Sequence, residues 1–441
     1  MRSVDAWPKM PDGSHFNGLN LFSLTLNGRS PFDWDVHQLI QEIENNLSTR
    51  VIDIPLATCG SHYYGFHFKL LQGQIPDIVV RLSRYDFNKP GVTKRQIRRY
   101  HSDVLFEAAL YQLLRDKPGI RASPLIYYRP AKLNLGQRLS RPLNLEGRSL
   151  FVFEKVEMAD DILDSITSLG LGSADVVKLF TGTILRLAHV RAALFRYTPP
   201  LDFCLTWLHE RLTEPKPDSF SVPIAPTREF WISVLESKIK TVIGSEGDEI
   251  GWGDEREKVG STALAARQSL LRALPYIMPA ENVEASLYRF VIDHNDFGFH
   301  NVTAIMDERG DIIITSLFDW ECADIVPALL SNPELSVMSS IIMKPDEDGR
   351  ASLTTMSEEF DQGIYHMYSW FYHKRLYQEA PEYEAAIKAG KHMRYLWNSL
   401  VSGPGRDPEE SCNILREWAE ERISEAFAPP AKELTTRFEV R

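Results

Sequence analysis

The feature that most restricts how this chain can fold is a change of apolar period near residue 157. Between Val51 and Glu157 apolar residues alternate, as in "YYGFHFKL" (63–70), "DIVVRL" (77–82) and "SLFVFEKV" (149–156). Alternation places one face of a strand in a core and the other toward solvent. One helical stretch, "SDVLFEAALYQLLRD" (102–116), interrupts these strands. After Met158 helical spacing dominates, broken only around Asp296 and Asp319. The pattern predicts an α+β chain, with a β-rich unit over 51–157 and a larger helical unit over 158–428. An extension over 1–50 precedes them and a tail over 429–441 closes the chain. The extension carries one helix, "DVHQLIQEIENNL", whose Val36, Leu39, Ile40, Ile43 and Leu47 recur on one face. "KRQIRRYH" (94–101) reads as a solvated loop between strand and helix, and "IYHMYSWFYHKRLY" (364–377) as helical core. "EPKPDSFSVPIAPT" and "GSEGDEIGWGDEREK" read as loops flanking a helix.

With 441 residues, 44% apolar and 25% charged, the chain has material for more than one sizeable core. Its net charge of -11 argues against nucleic acid, which is gripped through a basic footprint. The start, "MRSVDAWPKMPDG", lacks the apolar run of a leader, and "VPALLSNPELSVMSSIIM" is broken by Ser, Asn, Pro and Glu, so no membrane span is expected. Cys59, Cys204, Cys322 and Cys412 lack Cys-x-x-Cys spacing, which suits reduced thiols and a cytoplasmic location.

The chemistry concentrates in "FVIDHNDFGFHN" (290–301) and the hairpin-like segment after it. The triplet Asp296-Phe297-Gly298 is the magnesium motif of protein kinases, but no His-x-Asp-x-x-x-x-Asn loop lies upstream of it. The segment itself supplies that loop, with His294, Asp296 and Asn301 in the required spacing. "VTAIM" (302–306) and "DIIITSLF" (311–318), joined by "DERG" with Gly310 free to take a positive φ, read as a hairpin. Its pairing returns Asp319 to the end from which Asn301 departs. Asn301 and Asp319 are then candidate magnesium ligands, and Asp296 the base that accepts a hydroxyl proton. His294 reads as a buttress of the loop, and His300 as a neighbour of the site.

The β-rich unit offers partners. Glu107 sits inside an apolar helical stripe with Val104, Leu110, Tyr111 and Leu114, where an unpaired carboxylate is costly. Arg81, on the opposite strand face from Ile78, Val80 and Leu82, can neutralise it and aim at nucleotide phosphates. "TCGSHYYGFHFKL" sets Gly60 and Ser61 in a turn whose amides can approach phosphates. The chain near Glu154 to Val156 is placed to face an adenine edge.

"HNDFGFHN" together with "LFDWECADIVP" resembles the aminoglycoside phosphotransferase and choline kinase-like family, in the layout of roughly residues 51 to 400. The resemblance implies a bilobal protein-kinase-like fold and an ATP- and Mg2+-dependent kinase of a small-molecule acceptor. It carries the roles of base to Asp296, of metal ligands to Asn301 and Asp319, and of the nucleotide-binding pair to Arg81 and Glu107. Asn295 stands where the familiar motif has Gly, and Phe297 to His300 depart from Leu-His-Pro-Gly. A pseudokinase that binds nucleotide or a partner without turnover is the alternative reading. A protein kinase is disfavoured, because only a few residues separate Asp319 from "DIVPALL" and leave no room for an activation loop.

Overall fold

The computed structural model describes residues 34, 36–71, 75–89, 91–132, 145–156, 174–243, 256–280, 285–338, 340–355, 362–402 and 407–428. Helix α1 (Val36–Leu47) precedes strands β1 (Val51–Cys59), β2 (Tyr63–Leu70) and β3 (Ile78–Ser83). Helix α2 (Lys94–Leu114) and strands β4 (Leu125–Arg129) and β5 (Leu150–Glu154) come next. The five strands form one antiparallel sheet in the order β1-β2-β3-β5-β4. The alternation of β2 does what its pattern requires: Tyr64, Phe66, Phe68 and Leu70 are buried on one face. There they share a core with Leu39 and Ile43 of α1, each fully buried Phe contributing about 2–3 kcal/mol. On the other face Tyr63, Phe151 and Phe153 join Leu110 and Tyr111 of α2. β4 carries no clear alternation, and sequence reasoning missed it.

Helix α2 corrects one expectation. Residues 94–101 are its first two turns, not a loop, because Thr93 and Gln96 build a capping box. The Thr93 hydroxyl accepts from the Gln96 amide (3.2 Å), and the Gln96 side chain accepts from the Thr93 amide (2.9 Å). Ile97, buried, anchors that start.

The remainder is mostly helical: α3 (Ala174–Arg196), α4 (Leu201–Arg211), α5 (Arg228–Val242) and α6 (Arg256–Ile277), then, after a β-rich stretch, α7 (Gln362–Glu379), α8 (Pro381–Ala389), α9 (Lys391–Ser402) and α10 (Pro408–Phe427). α7 packs on α3, with Phe180 and Tyr368 rings 4.4 Å apart, and Tyr365, Tyr368, Tyr372 and His373 are buried. One face of the aromatic run 364–377 is therefore core, as its sequence suggests, while Met367 and Trp370 on the other face are exposed. α10 packs on α6. The stretch between contains β6 (Phe290–Asp293), β7 (Val302–Met306), β8 (Ile312–Leu317), β9 (Asp324–Pro327), β10 (Leu335–Met338), β11 (Ile341–Pro345) and β12 (Ala351–Thr355). β10 to β12 form a three-stranded antiparallel sheet that the helical reading of this half did not foresee. Most of "GSEGDEIGWGDEREK" and the tail 429–441 lie outside the described residues, as do residues 1–33 of the extension. Among the described residues no helix is long and apolar enough to cross a membrane, and the four cysteines are free thiols.

Candidate active site

The segment 290–301 is held between two strand pairs. β6 is buried along its length and pairs antiparallel with β9, setting Asp293 opposite Asp324. β7 and β8 form the expected hairpin, with Gly310 at φ 77° in its turn. At its open end the Phe318 amide donates to the Asn301 carbonyl at 3.0 Å, which places Asn301 and Asp319 side by side across the ladder. Met306 pairs with Ile312, and the register shifts by one residue between Ala304, opposite Ile314, and Thr303, opposite Ser316.

Between these pairs the loop fixes Asp296 from both sides. The Asn301 side-chain amide donates to the Asp296 carbonyl (2.8 Å) and to Oδ2 (2.9 Å), while His300 Nε2 donates to Oδ1 (3.1 Å). With its nitrogen so committed, Asn301 presents Oδ1 as a free acceptor. Asp296 is about half exposed, whereas Asn301 is buried. Gly298 has a packing reason: a Cβ there would lie 2.6 Å from the Ser336 carbonyl, where the loop bridges to β10. This explains the glycine of the Asp-Phe-Gly triplet without a metal. His294 is fully buried and its Nε2 donates to the Phe318 carbonyl at 2.9 Å. Burial pushes its pKa down to about 4, so the ring is neutral and acts as the buttress its position suggested.

Sequence reasoning missed a second support. Asp293 accepts from Arg191 Nη2 of α3 (2.6 Å) and from the Asn332 amide (2.5 Å); Asp293 and Arg191 are both buried. A signal was present in the sequence, since a carboxylate inside the apolar run "FVID" demands a partner.

Arg81 joins the two halves of the site. Its Nη1 lies 3.2 Å from Glu107 Oε1, as expected, and its Nη2 lies 2.5 Å from Asp319 Oδ1, which was not. Burial opposes its charge, yet Glu107 and Asp319 outweigh that and raise its pKa well above the ordinary value. Burial pushes Glu107 up to about 7 against the pull of Arg81. Asp319 adopts a left-handed conformation (φ 66°, ψ 59°), and its amide donates to the Tyr111 hydroxyl at 3.0 Å. A non-glycine residue held there by its surroundings is the kind of backbone strain found at functional positions.

A cavity of about 310 Å³ opens between the sheet and the β7–β8 hairpin. Gly60, Ser61, Arg81, Glu154, Val156 and Asp319 all line it, with Val79, Phe153 and Phe318 as apolar walls. Glu107 does not line it and acts through Arg81. Asp296 instead faces a neighbouring hollow of about 120 Å³ with Asn295, Phe297 and Ser336. The turn 60–62 differs in one detail from expectation. The Gly60 amide is spent on the Tyr63 carbonyl (2.9 Å), which closes the turn, so only the Ser61 amide of that pair is left for a phosphate. Arg84 steadies the turn by donating to the Gly60 and Ser61 carbonyls (2.5 and 3.2 Å), and His62 pairs with Glu321 across the mouth. The amides of Glu154 and Lys155 are taken by Pro124 and Asp77 (3.0 and 2.7 Å).

No family model and no curated protein matches this sequence. Among solved structures it is similar to the apoenzyme of macrolide 2'-phosphotransferase MphH from Brachybacterium faecium, at 11% identity and a TM-score of 0.34 over 86% of this chain and 97% of that one. A likeness of that size bears no weight, and function has to be argued from the chain's own residues.

Proposed function

We propose that the chain is an ATP-dependent small-molecule kinase, built as a small β-rich lobe (51–157) and a helical lobe (158–428), that transfers a phosphoryl group to a metabolite hydroxyl. The observation that carries this reading is the convergence on one cavity of Arg81, Asp319 and the Ser61 turn, next to a loop that orients Asp296 through Asn301. Val156 is the position of the 154–156 strand end left to meet the adenine edge, with Val79 and Phe153 against the base. Asn301 Oδ1 and the Asp319 carboxylate fit magnesium, which takes few protein oxygens and completes its shell with phosphates and water. Among the described residues no group of three or more His, Cys, Asp or Glu offers a denser metal site. Magnesium held by these two residues would neutralise charge on the transferred group.

Asp296 Oδ accepts the proton of the acceptor hydroxyl as its oxygen bonds to the γ-phosphorus. The bond from that phosphorus to the β–γ bridging oxygen breaks, and ADP leaves with the electron pair. Arg81 holds phosphate oxygens and keeps Asp319 in place until nucleotide arrives. The partner is a small-molecule acceptor. Single-turnover measurement of ATP consumption tests the reading: Asp296→Asn is expected to keep Mg-ATP affinity and slow turnover by about 10²- to 10⁴-fold. An Asp296→Asn protein as fast as wild type overturns it and leaves the nucleotide-binding pseudokinase.

A further inference from the structure

The start of α2 is electrostatically wrong for a helix whose only task is to fold. A helix N-terminus carries partial positive charge and favours carboxylates in its first turn. Here the first turn has none, and Lys94, Arg95, Arg98 and Arg99 add cations to the positive end. All four are exposed and line one wall of a groove of about 590 Å³, separate from the nucleotide cavity. Arg211 and Lys216, at and beyond the end of α4, stand on the other wall. The Arg211 guanidinium is held by Asp103 (2.6 Å) and by the Ala323 and Glu321 carbonyls.

The charges do not cancel. Asp103 is taken by Arg211, Glu214 lies 3.4 Å from Arg95, and Glu210 lies 3.6 Å from Lys216. Among the described residues Lys94, Arg98 and Arg99 have no carboxylate within ion-pair distance, and the remaining lining acid is Asp324, beside Asn295 at the floor. A positive groove on a chain of net charge -11 is a local choice rather than a reflection of composition. Asn295 lines both this groove and the hollow of Asp296, so the two spaces share the residue before the proposed base.

We infer that this groove is the anchoring site of the acceptor, and that the acceptor already bears a phosphate monoester, whose dianion binds Arg98, Arg99 and Lys94 while its hydroxyl reaches Asp296. Guanidinium groups favour a phosphate dianion over a carboxylate monoanion, because the dianion brings more charge and more oxygens to charge-assisted hydrogen bonds. The inference rests on the kinase reading for the hydroxyl's destination, and on the groove alone for the anion.

The test is calorimetric titration of phenyl phosphate and of benzoate, at millimolar concentration, into wild type, Arg81→Met and two double variants. Arg98→Gln/Arg99→Gln removes two groove cations; Lys240→Gln/Lys388→Gln removes two cations from exposed intrahelical pairs elsewhere. Wild type and the Lys variant are expected to bind phenyl phosphate alike and more tightly than benzoate. The Arg variant should bind it at least about tenfold more weakly, the worth of one lost charge-assisted hydrogen bond. Equal affinity in the two double variants overturns the inference, as does absence of binding to wild type. So does a loss confined to Arg81→Met, which would put the probe in the nucleotide cavity. Mg-ADP titrated into the same proteins separates the two claims. Probe binding without Mg-ADP binding leaves the anion groove and defeats the kinase reading; Mg-ADP binding without probe binding does the reverse.

Discussion

Replacing Arg81 by Met leaves Glu107, whose side chain is 2% exposed, without its cation. Breaking a buried pair costs about 3–5 kcal/mol if the orphaned charge must stay charged. Glu107 has an escape, because burial has already pushed it up to about 7, and it can take a proton instead. Its folded pKa lies above its unfolded value near 4.5, so its contribution to stability is greatest below pH 4.5, falls through the window up to 7, and then levels off. Loss of Arg81 raises the folded pKa further, and the fall continues above pH 7. The expected extra destabilisation from Glu107 is therefore negligible at pH 6 and grows above pH 7 by up to about 1.4 kcal/mol per pH unit. Loss of the partly exposed Asp319 contact adds up to about 1 kcal/mol at every pH. Urea denaturation of wild type, Arg81→Met and Arg81→Met/Glu107→Gln across this range measures it. The second substitution should abolish the pH dependence. A destabilisation by Arg81→Met that is the same at pH 6 and pH 9 refutes the reasoning.

His294, neutral and buried with a pKa of about 4, contributes stability that is fully present above its unfolded pKa of about 6.5 and is lost as pH falls toward 4. Wild type should thus lose about 2 kcal/mol more than His294→Gln between pH 7 and pH 5 by urea denaturation; parallel losses would contradict that environment. Gly65 lines the 310 Å³ cavity opposite Arg81, and a Cβ there would sit 2.5 Å from the Thr58 hydroxyl. Gly65→Leu is expected to lower ATP affinity by about tenfold or more with folding retained, read by calorimetry and thermal melting; unchanged ATP affinity in a folded protein would move nucleotide elsewhere.

Much of the site was legible because its signals are local. Glu107 in an apolar stripe and Arg81 on the polar side of β3 announce each other through the cost of a buried charge. The hairpin 302–317 stems from alternation and one glycine, and it carries Asn301 to Asp319. The contact of Arg81 with Asp319 was not legible, since it joins residues 238 positions apart and depends on how the sheet meets the hairpin. The capping box at Thr93 was readable but yielded to the charge of the segment behind it, which suggested solvent. β10 to β12 escaped because strands of four and five residues are too short to establish a period.

Calorimetric titration of ATP with and without magnesium into wild type and Asp319→Ala tests the central claim most directly. Magnesium is expected to tighten ATP binding to wild type, and Asp319→Ala, still folded, to lose that gain while binding metal-free ATP as before. Binding of Mg-ATP to Asp319→Ala at wild-type affinity, or no binding of ATP to wild type, would contradict it.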